Sequence, residues 1–124
     1  MGEVKVRGKD LNGLGWTIKS LIDRNMENPK VWDSIKKIRG SLVVRETGAN
    51  IAATVFFDKG AIEIQDGAVK KRSAYVAAGF DELAELTSGQ VGPIRALLTG
   101  KIKAGGNLLK LLKMAKAVID REEE

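Results

Sequence analysis

Histidine and cysteine, the side chains that most catalytic and metal sites lean on, are both absent from the 124 residues, which leaves carboxylates, amines, guanidinium groups, hydroxyls and a single tyrosine. Disulfides and thiol chemistry are therefore excluded, and most catalytic triads, zinc sites and proton relays lose the residues they rely on. Glu63, Asp66, Asp81, Glu82 and Glu85 fall at turns, caps and outward positions. No two of them sit as the buried pair that acid–base work requires. The run Gly100-Lys101-Ile102-Lys103, followed by Gly105-Gly106, lacks the glycine spacing and the hydroxyl residue after lysine that cradle a phosphate in a P-loop. We therefore expect no catalytic residue, no metal and no cofactor. For an enzyme acting on a lipid-like substrate, Asp, Glu, Lys and Tyr75 remain as players.

The lysines carry more information. Lys101, Lys103, Lys110, Lys113 and Lys116 form a basic cluster in a chain of formal charge +5 and pI about 9.6. Such a balance favours anionic partners. The cluster reads either as a solvated face or as attraction to anionic lipid, at about 1 kcal/mol per residue near a membrane surface. In the second reading Lys110, Lys113 and Lys116 dock the protein on the membrane. Nucleic acid is not expected as a partner, since basic and aromatic residues do not interleave as a base-stacking platform requires.

The elements that must position these residues follow from periodicity. Leu11, Leu14, Ile18, Leu21 and Ile22 make one helical stripe after a cap at Asp10, with Trp16 off the stripe. Gly13 and Gly15 weaken its first turn. Asn28-Pro29 is a cap followed by proline at the first helical position, leading into Val31, Trp32, Ile35 and Ile38 and a stop at Gly40. The period then changes to two. Strands are expected over 41–47, 51–57, 61–65 and 73–78, the first three joined by short turns into an antiparallel meander. Asp58-Lys59-Gly60 is a tight-turn signal. Asp81 caps a short helix that stops at Gly89, and Pro93 starts another that stops at Gly100. A fifth strand is expected over 101–104, broken by Gly105-Gly106. Asn107 then caps a last helix with Leu108, Leu111, Leu112, Ala115, Val118 and Ile119 on one stripe and Lys110, Lys113 and Lys116 opposite.

This order implies an α+β fold: a five-stranded, mainly antiparallel sheet with helices over one face. Residues 1–124 read as one domain, with 1–9 a loosely ordered segment or a short strand and Glu122-Glu123-Glu124 a solvated tail. No apolar run approaches the roughly 20 residues that span a bilayer, and the first residues lack the apolar core of a signal peptide. A cytoplasmic location is the corresponding expectation.

From about Ile38 onward the sequence resembles the sterol-carrier-protein-2 domain family. The segment 89–107 carries the likeness: Gly89, Pro93, then Gly100-Lys101-Ile102-Lys103-Ala104-Gly105-Gly106-Asn107 before the last helix. Val55-Phe56-Phe57-Asp58-Lys59-Gly60 also looks like the family's strand–turn–strand. Two residues depart from the pattern. Ala104 replaces the usual aliphatic residue, which opens the cavity or shortens the strand. Phe56 occupies an outward position that is often polar, and reads either as a homodimer face or as one tolerated surface aromatic. The resemblance implies a non-catalytic carrier that encloses an apolar chain, such as a sterol, fatty acid, fatty acyl-CoA or phospholipid, in a tunnel between sheet and helices. Val44, Val55, Phe57, Ile62, Ile64 and Val76 would line it from the sheet. Leu83, Leu86, Leu97, Leu98, Leu108 and Leu112 would close it from the helices. The alternative is a protein-interaction module of the same fold with a collapsed cavity.

Overall fold

The computed structural model describes residues 3–8 and 10–119; Met1, Gly2, Lys9 and the acidic tail Glu122-Glu123-Glu124 lie outside the described residues. The elements run β1 (Lys5–Arg7), α1 (Gly13–Asn25), α2 (Pro29–Ile35), β2 (Arg39–Glu46), β3 (Ile51–Asp58), β4 (Ala61–Asp66), β5 (Ala74–Ala78), α3 (Phe80–Thr87), α4 (Pro93–Leu98), β6 (Lys103–Gly106) and α5 (Leu108–Val118).

Capping chemistry sets most helix starts. The Asn12 side chain, not Asp10, caps α1 by accepting from Gly15 N at 2.8 Å. Asp10 instead accepts from Leu11 N at 2.8 Å and from Trp16 Nε1 at 3.3 Å. Asn28 caps α2 with Pro29 at the first position, as the sequence indicates. Asn107 caps α5 by accepting from Lys110 N at 3.0 Å. Asp81 is not the cap: α3 starts two residues earlier, from Gly79, and Asp81 and Glu82 lie in its first turn, where negative charge suits the helix dipole.

The sheet has six strands in the order β1-β4-β3-β2-β5-β6 and is mixed, a correction to the five-stranded, mainly antiparallel expectation. The meander β2-β3-β4 is antiparallel, but β5 joins β2 in parallel, with Val76 opposite Val44. β1 joins β4 in parallel, with Val6 opposite Ile64. The parallel pairing of β5 arises because the β4–β5 connection crosses the outer face of β3 and β2. Thr54 Oγ1 donates to Gly67 O at 2.8 Å and accepts from Val69 N at 3.3 Å on that path. This explains why Val43, Ala52 and Thr54 are buried although they point away from the helices.

β6 lies two residues later than expected, and the glycines belong to it rather than ending it. Gly105 pairs with Tyr75, and a Cβ there would sit 2.5 Å from Tyr75 Cε2. Gly106 has φ +85°, and a Cβ would meet Ser73 O at 2.5 Å. Only glycine lets this edge strand approach β5 so closely.

The helices cover the face formed by Leu42, Val44, Ala53, Val55, Phe57, Ile62, Ile64, Ala74 and Val76, all buried. α1 lies over β3 and β4, and α5 lies over β2, β5 and β6 while packing against α1 and α2. The N-terminal segment is tied down by Val4, which is buried and donates its N–H to Asp23 Oδ1 at 2.7 Å. Asp23 also binds Lys19 at 2.7 Å, and that hydrogen bond raises the lysine above its ordinary pKa of 10.5.

Asn25 joins the two ends of the helical layer. Its buried side-chain amide donates to Ala117 O at 2.8 Å and Ile119 O at 3.0 Å, at the C-terminal end of α5. Removing both donors leaves two buried carbonyls unmatched, at about 1–3 kcal/mol each. We expect Asn25→Ala to lower unfolding free energy in urea by about 2–3 kcal/mol. A loss below about 0.5 kcal/mol would show that water replaces the amide at no net cost.

Candidate functional site

α5 separates two different environments. Around the helix, Leu111, Leu112, Ala115 and Val118 fall on one arc, while Lys113 and Lys116 fall on the opposite side with Leu109 between them. The first arc faces an apolar cavity of about 50 Å³. The lysine side borders a groove of about 360 Å³.

The cavity lies over the β2-β5-β6 half of the sheet. Its floor is Leu42, Val44, Val76 and Ala104, and its walls come from Leu83 and Leu86 of α3, Pro93 and Leu97 of α4, and the apolar arc of α5. Ile18 and Ile102 complete it, and Thr87 is the single lining residue with a polar side chain. Six of the residues chosen from sequence meet here: Val44, Val76, Leu83, Leu86, Leu97 and Leu112.

The other six stand elsewhere. Val55, Phe57, Ile62 and Ile64 are buried in the β3-β4 half of the sheet, where α1 packs. Their face is the one expected, but a different helix covers it. Leu98 is 81% exposed and Leu108 is 45% exposed. In the six-residue α4, Leu97 takes the inward position, so its neighbour, about 100° further round, points out. Leu108 is the first residue of α5 and lies a full turn before the residues that reach the cavity.

Several lining residues were not singled out as such. Leu42 was accessible from the alternation that selects Val44, since i and i+2 share a face. Leu111, Ala115 and Val118 belong to the recognised stripe of the last helix. Ala104, the departure from the family pattern, sits opposite Val76 and lines the cavity, where its small side chain leaves room.

At about 50 Å³ the cavity admits a few small atoms. Ligand pockets begin near 300 Å³. An apolar chain can enter only if the helical walls part from the sheet.

The groove brings residues from three elements together. The end of α2 and the turn after it supply Asp33, Ser34, Lys37 and Ile38, the start of β2 supplies Arg39, and α5 supplies Lys110, Lys113 and Lys116. Lys110 Nζ donates to Arg39 O at 2.6 Å, and Asp33 is held by Lys36 at 3.0 Å. Arg39 approaches Asp58 at 3.6 Å. Among the described residues, Lys37, Lys113 and Lys116 have no carboxylate within 4.0 Å. The five-lysine cluster read from sequence is therefore divided. Lys101 pairs with Glu85 at 3.1 Å and Lys103 lies on β6, both outside the groove.

Tyr75 lies under the Arg72 guanidinium at 4.8 Å, and Phe56 lies under that of Arg7 at 3.8 Å on the outer sheet face. Among the described residues no three His, Cys, Asp or Glu side chains are grouped to hold a metal ion, and no helix is long and apolar enough to cross a membrane.

The family model described as the SCP-2 sterol transfer family matches residues 18–118. The chain is also similar to three solved structures. One is the UbiJ-SCP2 ubiquinone synthesis protein, with TM-score 0.67 and 14% identity, covering 85% of this chain and 88% of that one. A second is the sterol carrier protein domain 2 of Helicoverpa armigera, with TM-score 0.63 and 23% identity, covering 94% and 99%. A third is the apo form of sterol carrier protein 2 from Yarrowia lipolytica, with TM-score 0.59 and 21% identity, covering 91% and 100%. At these identities the likeness is one of fold. No curated protein matches the chain in sequence.

The groove places like charges side by side, which costs stability that salt restores. The double variant Lys113→Gln, Lys116→Gln should melt at a higher temperature than the parent in low salt. The difference should vanish at 1 M salt, where the Debye length is about 3 Å. Equal melting temperatures at low salt would show that the cations are too far apart to repel one another.

Proposed function

The chain belongs to the SCP-2 sterol transfer family, whose members are lipid-binding or transfer modules, and from that premise we propose that it carries an apolar lipid chain and exchanges it with anionic membranes without chemical change. The observation that carries the proposal is the cavity lined almost wholly by apolar side chains between the sheet and α3, α4 and α5. The ligand is the apolar chain of a sterol, fatty acid, fatty acyl-CoA or phospholipid, and its walls are the fifteen residues that line the cavity.

Entry requires movement, and α4 has the least to lose. It is six residues long and buries Ala96 fully and Pro93 and Leu97 in part. So short a helix has little stability of its own. Gly92 and Gly100 flank it with open space around both, and Gly100 has φ +77°. A swing of α4 about these glycines opens the cavity on the side where Leu98 is 81% exposed. Leu98 would meet the bilayer there, while Lys110, Lys113 and Lys116, on the other side of α5, add long-range attraction to anionic lipid.

The energetics favour exchange. Burying a methylene contributes about 0.8 kcal/mol, so ten contribute about 8 kcal/mol before ordering costs. That corresponds to roughly micromolar binding. A bilayer offers the chain a similar refuge, so loading and unloading are nearly balanced. The small volume of the cavity favours a second reading, in which the fold is kept as a protein-interaction module and the exposed leucines meet a protein partner.

Native mass spectrometry decides between the two. Protein purified from cells should carry a substoichiometric mixture of amphiphiles and take up an added fatty acid. Leu112→Arg should abolish that uptake while the protein stays folded, because Leu112 is a half-buried wall residue rather than packed core. A single ligand-free mass with no uptake of fatty acid, acyl-CoA or sterol would sink the carrier reading.

A further inference from the structure

The basic groove is a built feature that carriage of an apolar chain does not require. It lies on the far side of α5 from the cavity and shares no lining residue with it. Cations arrive from separate parts of the chain: Lys37 after α2, Arg39 at the start of β2, and Lys110, Lys113 and Lys116 one turn apart on α5. Among the described residues one acidic side chain, Asp33, lines the groove, and Lys36 occupies it at 3.0 Å. The Lys110 ammonium is fixed on the Arg39 carbonyl at 2.6 Å, so at least one wall cation is already positioned. Lys37, Lys113 and Lys116 lack a carboxylate partner among the described residues.

Concavity distinguishes this arrangement from a solvated lysine face. The groove encloses about 360 Å³, within the range of small-molecule sites. No aromatic residue lines it, so nothing is provided to stack a base or ring. Recognition must come from charge. Several ammonium groups and one guanidinium around a concave space suit an anion with many oxygens and more than one negative charge. We infer that the groove formed by Lys37, Arg39, Lys110, Lys113 and Lys116 is a binding site for a multiply charged phosphate group, a phosphomonoester or a diphosphate. It is independent of what the cavity holds.

Two sources supply that chemistry: the head group of an anionic lipid, or a soluble phosphate compound. The first probe is inorganic pyrophosphate, titrated into the full chain and followed by calorimetry and by amide shifts in NMR spectra. Binding should perturb amides around Lys37, Arg39 and α5 and weaken several-fold as salt is raised. Lys37→Gln with Lys113→Gln should reduce affinity about tenfold, since two charge-assisted contacts are lost. The control, Lys101→Gln with Lys103→Gln, removes the same charge outside the groove and should change affinity less than twofold. Equal losses in the two pairs, or no pyrophosphate binding at low salt, would overturn the site.

The second probe is vesicles of phosphatidylcholine containing phosphatidic acid. Vesicle binding that pyrophosphate displaces supports the site and assigns it to a lipid head group. Pyrophosphate binding without vesicle binding supports the site and assigns it to a soluble phosphate. Vesicle binding that pyrophosphate does not displace, with no shift at groove amides, would reduce the lysines to diffuse membrane attraction and overturn the proposal. Fatty-acid uptake by the single variant Lys37→Gln should match the parent, which separates failure of this site from failure of the carrier reading.

Discussion

The placement of α5 rests on hydrogen bonds at its two ends. A helix leaves its first N–H groups and last carbonyls without internal partners, and inside a protein these must be satisfied. At the start, the Asn107 side chain accepts from Lys110 N while its own N–H donates to Ser73 O at 2.8 Å, so the helix begins against β5. At the end, Asn25 donates to Ala117 O and Ile119 O, so the helix finishes against α1. With both ends held, the helix cannot rotate. Its apolar arc is committed to the cavity and its lysines to the groove. Two asparagines, 82 residues apart by number, thereby decide which chemistry each face of α5 presents.

The sheet beneath sets the other half of the geometry. β5 reaches its position by the crossing of the outer face, and β6 can follow only because Gly105 and Gly106 admit the Tyr75 ring and the Ser73 carbonyl. That brings Ala104 alongside Val76 at the floor of the cavity. The same crossing segment covers Thr54, whose hydroxyl is fully paired beneath it. One face of the sheet is thus closed by a strap of chain and the other by helices, and the cavity lies only on the second.

Local signals in the sequence carried what depends on neighbouring residues. Asn28-Pro29 and Asn107 mark their helices correctly, and Asp58-Lys59-Gly60 forms the tight turn its composition signals, with positive φ at Lys59 as well as at Gly60. Alternation identified Val44, Val55, Phe57, Ile62, Ile64 and Val76 as inward, six of the nine residues on that face. It could not say which helix would cover them, because that depends on contacts between residues far apart in the chain. This is why Ile62 and Ile64 are inward yet lie away from the cavity. The parallel pairings of β1 and β5 are non-local for the same reason, and a three-residue strand is too short to show a period. Asp10 and Asn12 are both competent caps, and only the fold selects between them. Leu98 and Leu108 show that being apolar does not place a residue inside. Lys37 and Arg39 were missed because the groove exists only once α5 folds back beside them.

A nearly closed cavity is what a carrier's empty state should show, on energetic grounds. An empty apolar void costs about 24 cal/mol per Å³, so a void of about 300 Å³ would cost about 7 kcal/mol. That is comparable with the whole stability of a small domain, about 5–15 kcal/mol. At about 50 Å³ the cost is near 1 kcal/mol. A chain without ligand therefore gains by letting its walls settle together, and the apolar contacts made in doing so are those a ligand must replace. The replacement is nearly even when the displaced element is small, as α4, proposed to move, is with Ala96 its one fully buried residue. A longer helix with a wide buried face would hold the cavity shut against any ligand. On the proposed carrier reading, the brevity of α4 and the apolar character of the space beneath it answer one requirement: walls that close without a ligand and yield to one.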